Sequence, residues 1–203
     1  MFTGIIRELG TVARVERSKG FMRLTIQASK VASSVQVLES VAVNGVCLSV
    51  VSQREGTMTF EIIPETQHLT TLARLRPGER VNLEPSLRLV DRLSGHLVFG
   101  HVDGVGTIKK RRESPGELAL HVRVTQALNR FLVPKGAVAL DGVSLTIGQT
   151  LRDSIFTVHL IPETLRHTTL GACQVGDCVN VELDYFSKLT WQFLARSHWK
   201  QPK

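Results

Sequence analysis

The stretch VAVNGVCLSV at residues 41–50 returns as VALDGVSLTI at residues 138–147. In each copy a dipeptide, Asn44-Gly45 or Asp141-Gly142, separates two short apolar runs. Asn-Gly and Asp-Gly tolerate the positive φ angles of a two-residue hairpin turn, and runs rich in Val favour strands. The sequence therefore predicts the same β-hairpin twice in one chain.

The repeat extends well beyond this hairpin. IIPET at residues 62–66 returns as LIPET at 160–164, and GERVNLE at 78–84 returns as GDCVNVE at 176–182. The offset between the copies stays between 96 and 98 residues, whereas the units of a solenoid are about 20–50 residues long. We therefore expect two copies of one domain, and with them two similar sites.

Each copy is predicted to be a small barrel. About six short strands, rich in Val, Ile, Leu and Thr and divided by Gly, Asn, Asp and Pro, occupy each copy. This pattern is typical of an all-β Greek-key barrel of six strands, whose closure removes exposed sheet edges. The connections Gln27–Leu38 and Thr125–Leu132 are expected to be short helices or irregular segments.

The ends of the two copies suggest the domain boundaries. We expect a first barrel at residues 1–93 and a second at residues 94–184, with a hinge at Arg92–Gly95. In residues 185–203, apolar side chains recur at helical spacing and predict a C-terminal α-helix. Because this helix is more apolar than one side of a small barrel can cover, we expect it to pack between subunits. The alternative is that it caps its own barrel.

The composition excludes several classes of protein. Hydrophobic residues make up 42% of the chain and charged residues 21%, as in ordinary globular domains, and no window is apolar enough for a membrane span. The net charge of +7 could attract nucleic acid, but aromatic residues, on which bases stack, are only 5% of the chain. We therefore expect neither a membrane nor a nucleic acid as partner.

The N-terminus and the cysteines indicate a cytoplasmic protein. MFTGIIREL at residues 1–9 lacks the basic and apolar regions of a secretion signal. Three cysteines without a framework spacing are expected to be reduced thiols. Cys173 and Cys178 are too far apart for a usual zinc site and have no second pair, so no metal is expected.

Positions at which the copies differ are the best clues to chemistry. Cys47 is matched by Ser144, and His101 is matched by Ile5. A thiol ionises near neutral pH when its pKa falls, and an imidazole carries protons there, whereas a hydroxyl and an aliphatic chain do neither. Two sites that differ in this way can play different roles. The structural alternative is that Cys47 is simply a small buried hydrophobe.

Four motifs occur together along the chain: MFTGII at residues 1–6, NGVCLSV at 44–50, GHLVFGHVDGVG at 95–106, and a PET followed by TTL in each copy. With these motifs in this order, the chain resembles riboflavin synthase of the α-chain type from Met1 to about Asp184. The resemblance implies two six-stranded barrels, a C-terminal helix and a homotrimer, with lumazine synthase as a further partner.

The same resemblance implies a transferase that needs no metal and no cofactor. It would dismutate two molecules of 6,7-dimethyl-8-ribityllumazine in the last step of riboflavin biosynthesis. One molecule donates a four-carbon unit to the other, which gives riboflavin and 5-amino-6-ribitylaminouracil. Two alternatives are a non-catalytic relative that binds lumazine or flavin, and an oligonucleotide-binding barrel.

By this resemblance, one lumazine binds in each barrel, and the productive site joins the first barrel of one subunit to the second barrel of a neighbour. The first site would contain Cys47, Leu48, Ser49, Glu61, Ile62, Ile63, Pro64, Glu65, Thr66, Gly100, His101 and Val102. The second would contain Gly4, Ile5, Ile6, Ser144, Leu145, Thr146, His159, Leu160, Ile161, Pro162, Glu163 and Thr164, and Lys135 would reach across the subunit boundary.

The resemblance assigns catalysis to Cys47, His101, Ser144 and Thr146. A base, either the imidazole of His101 or the thiolate of Cys47, would assist removal of an acidic methyl proton from the lumazine. The nucleophile that adds to the other ring is left open between Cys47, Ser144 and a bound water. Phe99 stands where the family commonly has Ser, and it is expected to reshape the site beside His101 unless its ring faces the core.

Overall fold

A computed structural model describes residues 1–196, which form two closed antiparallel barrels of six strands each and a final helix. The first barrel contains β1 Glu8–Ser18, β2 Phe21–Gln27, β3 Ser40–Val43, β4 Val46–Arg54, β5 Thr57–Ile62 and β6 Arg80–Pro85. The second contains β7 Gly104–Ser114, β8 Glu117–Arg123, β9 Ala137–Leu140, β10 Val143–Leu151, β11 Ile155–Leu160 and β12 Cys178–Leu183. The predicted pair of six-stranded barrels is confirmed.

The two barrels share one plan. The strand order is β1-β2-β5-β4-β3-β6 in the first barrel and β10-β11-β8-β7-β12-β9 in the second, so in both the neighbours of equivalent strands are equivalent. The connections contain the helices α1 Ser29–Ser34, α2 Pro64–Leu69, α3 Gln126–Asn129 and α4 Pro162–His167, with 3₁₀ turns at Thr71–Arg74 and Thr169–Ala172. The short helices predicted within 27–38 and 125–132 are therefore present.

Alternation of side chains along the strands separates the core from the surface. In β5 the side chains of Met58, Phe60 and Ile62 point into the barrel and are buried, while the intervening residues face outward. Each barrel encloses its own hydrophobic core. A third, small cluster forms from Phe2, Ala42, Val98 and Ala139, two residues from each copy, and so joins the two barrels.

The predicted hairpin turns form as expected. Asn44 and Gly45 have φ angles of 44° and 76°, and Asp141 and Gly142 have 44° and 79°, all in the left-handed region that Asn, Asp and Gly tolerate. The two turns meet back to back: a Cβ on Gly45 would lie 2.5 Å from the backbone N of Gly142. Glycine is required here because the backbones of the two barrels touch.

Two asparagines tie the barrels together reciprocally. Asn82 in β6 donates its side-chain amide to the carbonyl of Asp141 and accepts from the N–H of Thr169, both in the second barrel. Asn180 in β12 does the same in reverse, donating to the carbonyl of Asn44 and accepting from the N–H of Thr71. These four bonds of 2.8–2.9 Å satisfy buried polar groups across the interface.

The C-terminal helix is confirmed as α5 Tyr185–Arg196. Residues 197–203, which complete the predicted helical tail, lie outside the described residues. Phe186, Trp191 and Phe193 on α5 remain exposed, Phe193 by 72%. Lys188 fastens the helix to the second barrel through two bonds of 2.9 Å to the carboxylate of Asp103. Within residues 1–196, no helix is long and apolar enough to cross a membrane.

At the interface between the barrels, the second copy has an acid, Asp141, where the first copy has the neutral Asn44. The side chain of Asp141 accepts the N–H of Asn180, as that of Asn44 accepts the N–H of Asn82. Burial raises the pKa of Asp141 to about 7, and the bond from Asn180 only partly opposes this. In the unfolded chain the same carboxyl has its ordinary pKa and ionises well below pH 7. The folded protein therefore holds a proton that the unfolded chain releases between about pH 4 and pH 7.

We predict that Asp141→Asn stabilises the protein near neutral pH. Because the folded pKa is raised, the stability from this group is full below about pH 4 and is lost as pH rises towards 7. Asparagine keeps the bond to the N–H of Asn180 and removes this loss. In denaturant unfolding, the gain should be smallest near pH 4 and should grow by roughly 2–3 kcal/mol between pH 5 and pH 7.5.

The matched control is Asn44→Asp, which places a second carboxyl at the equivalent position. This variant should lose stability as pH rises over the same range. A gain for Asp141→Asn that is equal at all pH values would show that Asp141 is not protonated in the folded protein.

Candidate functional site

The outer face of the first barrel presents the polar residues of the first predicted site. Along β4 the side chains of Cys47 and Ser49 point outward, while Leu48 between them is buried. Val50 pairs with Phe60, so the adjacent outward positions, Ser49 and Glu61, lie side by side across β4 and β5. The thiol, the hydroxyl and the carboxylate therefore share one face.

The beginning of the second copy lies across this face. The backbone N–H of Cys47 donates to the carbonyl of Gly100 at 2.9 Å. A Cβ on Gly100 would lie 2.5 Å from the Cβ of Cys47, and the φ angle of Gly100 is 75°. Only glycine permits so close an approach in this conformation. The contact places His101, the next residue, beside Cys47 and exposed to solvent.

The outer face of the second barrel repeats this arrangement with other side chains. Ser144 and Thr146 point outward from β10, and the N–H of Ser144 donates to the carbonyl of Gly4 at 2.8 Å. The pairing of Ile147 with Val158 sets Thr146 beside His159. The start of the first copy thus lies on the second barrel, and the start of the second copy lies on the first.

Two buried glutamates hold these crossed segments in place. Glu84 in β6 accepts the N–H groups of Thr3 and Gly4, at 2.8 and 3.0 Å. Glu182 in β12 accepts those of Phe99 and Gly100, at 2.7 and 2.9 Å. Burial raises the pKa of both carboxyls, and these N–H groups act in the opposite direction because they favour the ionised form.

His96 is a functional candidate that sequence reasoning missed. Its Nδ1 lies 2.7 Å from the hydroxyl of Ser144, one of the predicted catalytic groups. Burial lowers the pKa of His96, although the nearby carboxylate of Asp184 opposes the shift. A neutral imidazole can accept the hydroxyl proton. Comparison of the copies could not reveal this residue, because it lies ahead of the repeated segment, which begins at Gly100 in the second copy.

Phe99 does not face the core. Its ring stacks on that of His101, with centroids 6.1 Å apart, and packs against Tyr185 at 5.0 Å. The side chain that replaces the family's Ser therefore forms one wall beside His101. No hydrogen bond joins the His101 ring to the Cys47 thiol within residues 1–196, so the predicted base and thiol are neighbours but not a bonded pair.

Several predicted site residues do not place their side chains on the outer faces of the barrels. The side chains of Leu48, Ile62, Leu145 and Leu160 are buried in the barrel cores, so only their backbone groups can meet a ligand on the outer face. At the ends of β5 and β11, the exposed members are Ile63, Pro64 and Glu65 in the first copy and Ile161, Pro162 and Glu163 in the second, followed by the half-buried Thr66 and Thr164. Ile5 and Ile6 are half-buried and Val102 is buried.

Lys135 lies on the second barrel of its own chain, in a groove beside His159. Its φ angle is 68°, a left-handed conformation that is uncommon for a residue other than glycine. Its N–H donates to the carbonyl of Ile147. The lysine is thus fixed next to the strand that carries Ser144 and Thr146.

Within residues 1–196, no group of three or more His, Cys, Asp or Glu side chains is placed to hold a metal ion. The two faces offer a thiol and an exposed imidazole on the first barrel, and a hydroxyl bonded to a half-buried imidazole on the second. Such groups accept and donate protons or add to electrophilic carbons.

Comparisons with known proteins agree with this arrangement. The Lumazine binding domain family matches residues 3–86 and again residues 99–184. The chain is 37% identical to the riboflavin synthase of Bacillus subtilis over 198 residues, which cover 98% of this chain and 92% of that protein. It is 42% identical to the riboflavin synthase of Mycobacterium tuberculosis over 192 residues, covering 93% and 95%.

A solved structure is similar over the whole of its length. The crystal structure of LumP complexed with riboflavin superposes with a TM-score of 0.84 and 26% sequence identity, and the match covers 91% of this chain and 100% of LumP. LumP has also been solved with 6,7-dimethyl-8-(1'-D-ribityl) lumazine, where the TM-score is 0.82.

We predict that Glu84→Gln disturbs the barrel to which Glu84 does not belong. Loss of the carboxylate weakens the hold on Thr3 and Gly4, and Gly4 in turn accepts the N–H of Ser144. Amide hydrogen exchange of Ser144 should become roughly tenfold faster, as expected for a weakened buried charged bond.

Glu182→Gln is the matched variant and should speed exchange at Cys47 instead, since Cys47 donates to Gly100. Together the two variants distinguish a specific effect on the opposite barrel from a general loss of stability, which would speed exchange in both barrels alike. Faster exchange confined to each glutamate's own barrel would contradict the crossed arrangement.

Proposed function

We propose, from the premise that this chain belongs to the riboflavin synthase family, that it converts two molecules of 6,7-dimethyl-8-ribityllumazine into riboflavin and 5-amino-6-ribitylaminouracil. The observation that carries the proposal is a pair of equivalent outer faces with unlike reactive groups. One face has Cys47 with His101, and the other has Ser144 with His96. Identical molecules that act as donor and acceptor need sites that differ in this way.

Each face offers an edge that suits the ring of a lumazine. The outward hydroxyls of Ser49 and Thr146 and the backbone groups at the strand ends can hydrogen-bond its polar edge. The crossed segments fix one border of each face, at Gly100 and at Gly4. Holding two rings against each other raises their effective molarity, which in favourable cases lowers the barrier by about 7–11 kcal/mol.

The side chains suggest how the roles divide. A methyl group on the donor ring is acidic because its carbanion delocalises into the ring. His101, exposed beside Cys47, is placed to remove that proton as a general base. On the second barrel, the Ser144 hydroxyl can add to the acceptor ring while His96, 2.7 Å away, takes its proton. We therefore assign the donor to the first barrel and the acceptor to the second.

Both faces lie open on a single chain, and this supports a multimeric enzyme. An open face neither excludes water nor presses a second ring onto the first. We propose that the first barrel of one subunit meets the second barrel of a neighbour in a homotrimer, and that the exposed apolar side chains of α5 pack between subunits. The division into residues 1–93, 94–184 and 185–203 fits these roles. A cytoplasmic location is supported by three free cysteines.

A non-catalytic protein that binds lumazine or flavin is the second candidate, and the likeness to LumP, which was solved with both kinds of ligand bound, supports the binding. The retained Cys47, His101, Ser144 and Thr146 favour the enzyme instead. Turnover separates the two candidates.

We predict that the purified protein, given the lumazine alone, releases riboflavin and the pyrimidine product in equal amounts. Product analysis by chromatography checks the ratio. Binding of lumazine without either product would overturn the proposal and leave a binding protein.

Two substitutions test the assigned roles. His101→Gln should lower kcat by roughly 100-fold or more, because a positioned base contributes about that factor. Cys47→Ser keeps the size of the side chain and should show whether the thiol is needed. Both variants should still bind lumazine at the second barrel. Rates equal to the unmodified protein in both variants would contradict a reactive role for the first face.

Phe193→Glu tests the assembly. Phe193 is the most exposed aromatic side chain among the described residues of α5, and a charge there should not enter an apolar interface. Sedimentation should show a trimer for the unmodified protein and a smaller species for the variant, with turnover lost as the trimer is lost. A monomeric, fully active unmodified protein would contradict assembly.

A further inference from the structure

The imidazole of His101 lacks the bonds that fix its counterpart on the other face. The ring of His96 is held by its bond to Ser144. At His101 the preceding backbone is fixed, because the carbonyl of Gly100 accepts the N–H of Cys47. The side chain is exposed, however, and among residues 1–196 no hydrogen bond or ion pair reaches its ring. An exposed, unbonded side chain changes rotamer within nanoseconds, whereas a general base must point at the proton it removes.

Two aromatic rings form a row that begins at this imidazole. The ring of Phe99 stacks on that of His101, with centroids 6.1 Å apart and an angle of 26° between the planes. The ring of Tyr185 packs on Phe99 at 5.0 Å. Both distances lie in the range of about 4.5–7 Å in which aromatic pairs attract each other. Phe99 therefore links the imidazole to Tyr185, the first residue of α5.

The segment that carries His101 is tied at both ends to the end of β12. At its start, the N–H of Phe99 donates to the carboxylate of Glu182 at 2.7 Å. At its end, the carboxylate of Asp103 accepts the N–H of Leu183 at 2.8 Å. The backbone on either side of His101 is thus fixed relative to the start of α5. A ring on Phe99 therefore has a set position from which it can orient the imidazole.

The first copy has no ring at any of the three equivalent positions. The counterparts of Phe99, His101 and Tyr185 are Thr3, Ile5 and Leu87. The three rings occur together, in the copy that carries the histidine. Both copies build the same barrel, so the rings are not needed for the fold, and their joint presence favours a role with the histidine.

The ring of Phe99 also takes the place of a hydrogen bond. In the first copy the hydroxyl of Thr3 donates to the buried carboxylate of Glu84 at 2.7 Å. Phe99 has no hydroxyl, and within the described residues Glu182 accepts only the N–H groups of Phe99 and Gly100. Bonds to buried charged groups are among the stronger hydrogen bonds in proteins. The second copy lacks this bond and has the ring instead, which indicates that the ring serves the site.

We propose that Phe99 is a positioning residue for the imidazole of His101, and that Tyr185 holds the ring of Phe99 against it. The inference rests on the proposed function, in which His101 is the general base that acts on the donor. Tyr185 couples this base to α5, whose exposed side chains are proposed to pack between subunits. Assembly then orders the base in addition to closing the site.

Phe99→Thr installs the residue of the first copy and removes only the ring. The new hydroxyl can donate to Glu182 as that of Thr3 does to Glu84, so the variant should resist denaturant at least as well as the unmodified protein. Its kcat should fall roughly threefold to tenfold, the range that one aromatic pair contributes. KM should change little, because the ring orients the base and does not bind the substrate. An unchanged kcat would overturn the proposal.

Two further substitutions separate the flat ring from mere bulk. Phe99→Tyr keeps a ring and should retain the rate. Phe99→Leu keeps a large apolar side chain without a ring and should lose rate as Phe99→Thr does; it also serves as the test if Phe99→Thr does not fold. A Phe99→Leu variant as fast as the unmodified protein would show that the stacked ring is not required.

The NMR signals of the imidazole protons report the orientation of His101 directly. A stacked ring shifts these signals, and His101→Gln identifies them by their disappearance. They should move in Phe99→Thr and in Tyr185→Ala, and stay in place in Tyr185→Phe. Trp191→Leu is the matched control on α5, because Trp191 packs on Phe131 at 5.9 Å. Equal movement in Trp191→Leu and Tyr185→Ala would refute coupling through Tyr185.

The two measurements distinguish this proposal from the proposed function. If the unmodified protein makes no riboflavin, the proposed function fails, and the NMR signals still decide whether Phe99 orients His101. A lower kcat in Phe99→Thr with unmoved signals would overturn the proposal, because the loss would then arise elsewhere. Moved signals with an unchanged kcat would overturn it as well, since the orientation would not matter for the rate.

Discussion

The reciprocal contact of Asn82 and Asn180 is the constraint on which the rest of the molecule depends. Each amide reaches into the other barrel and satisfies one carbonyl and one N–H there. Buried amides bond in this way only if the two barrels hold a fixed relation. The touching backbones of Gly45 and Gly142 allow no side chain between them. The barrels therefore behave as one rigid pair related by an approximate two-fold axis, and everything on their outer faces is positioned from this centre.

From that centre the strands β6 and β12 carry the second device, the buried carboxyls of Glu84 and Glu182. These residues lie two positions beyond the asparagines and hold the crossed segments by their N–H groups. As a result the same short strand fastens the barrels together and fixes the border of a site. The symmetric parts of the repeat build the framework, and the asymmetric parts, Cys47 with His101 and Ser144 with His96, supply the chemistry.

The sequence was sufficient for features that depend on local pattern and on comparison of the copies. The hairpins followed from turn chemistry, and the two barrels followed from the repeat and its strand pattern. The sequence was not sufficient where strand register or a long-range contact determines which side chains lie together. His96 lies ahead of the repeated segment that begins at Gly100, and its contact with Ser144 joins residues 48 positions apart in the sequence. The placement of Thr146 beside His159 is likewise visible only once it is known how β10 pairs with β11.

The crossing of the two copies also bears on how the chain acquires its shape during synthesis. Gly4 is made 140 residues before Ser144, whose N–H donates to its carbonyl. Contacts between residues so distant in sequence form slowly, because the intervening loop must close before they gain anything. The first barrel can close before the segment that contains Gly4 has its partner. The second barrel then forms and completes the interface. The site on the second barrel is thus assembled last, from two segments that the whole first barrel separates in the sequence.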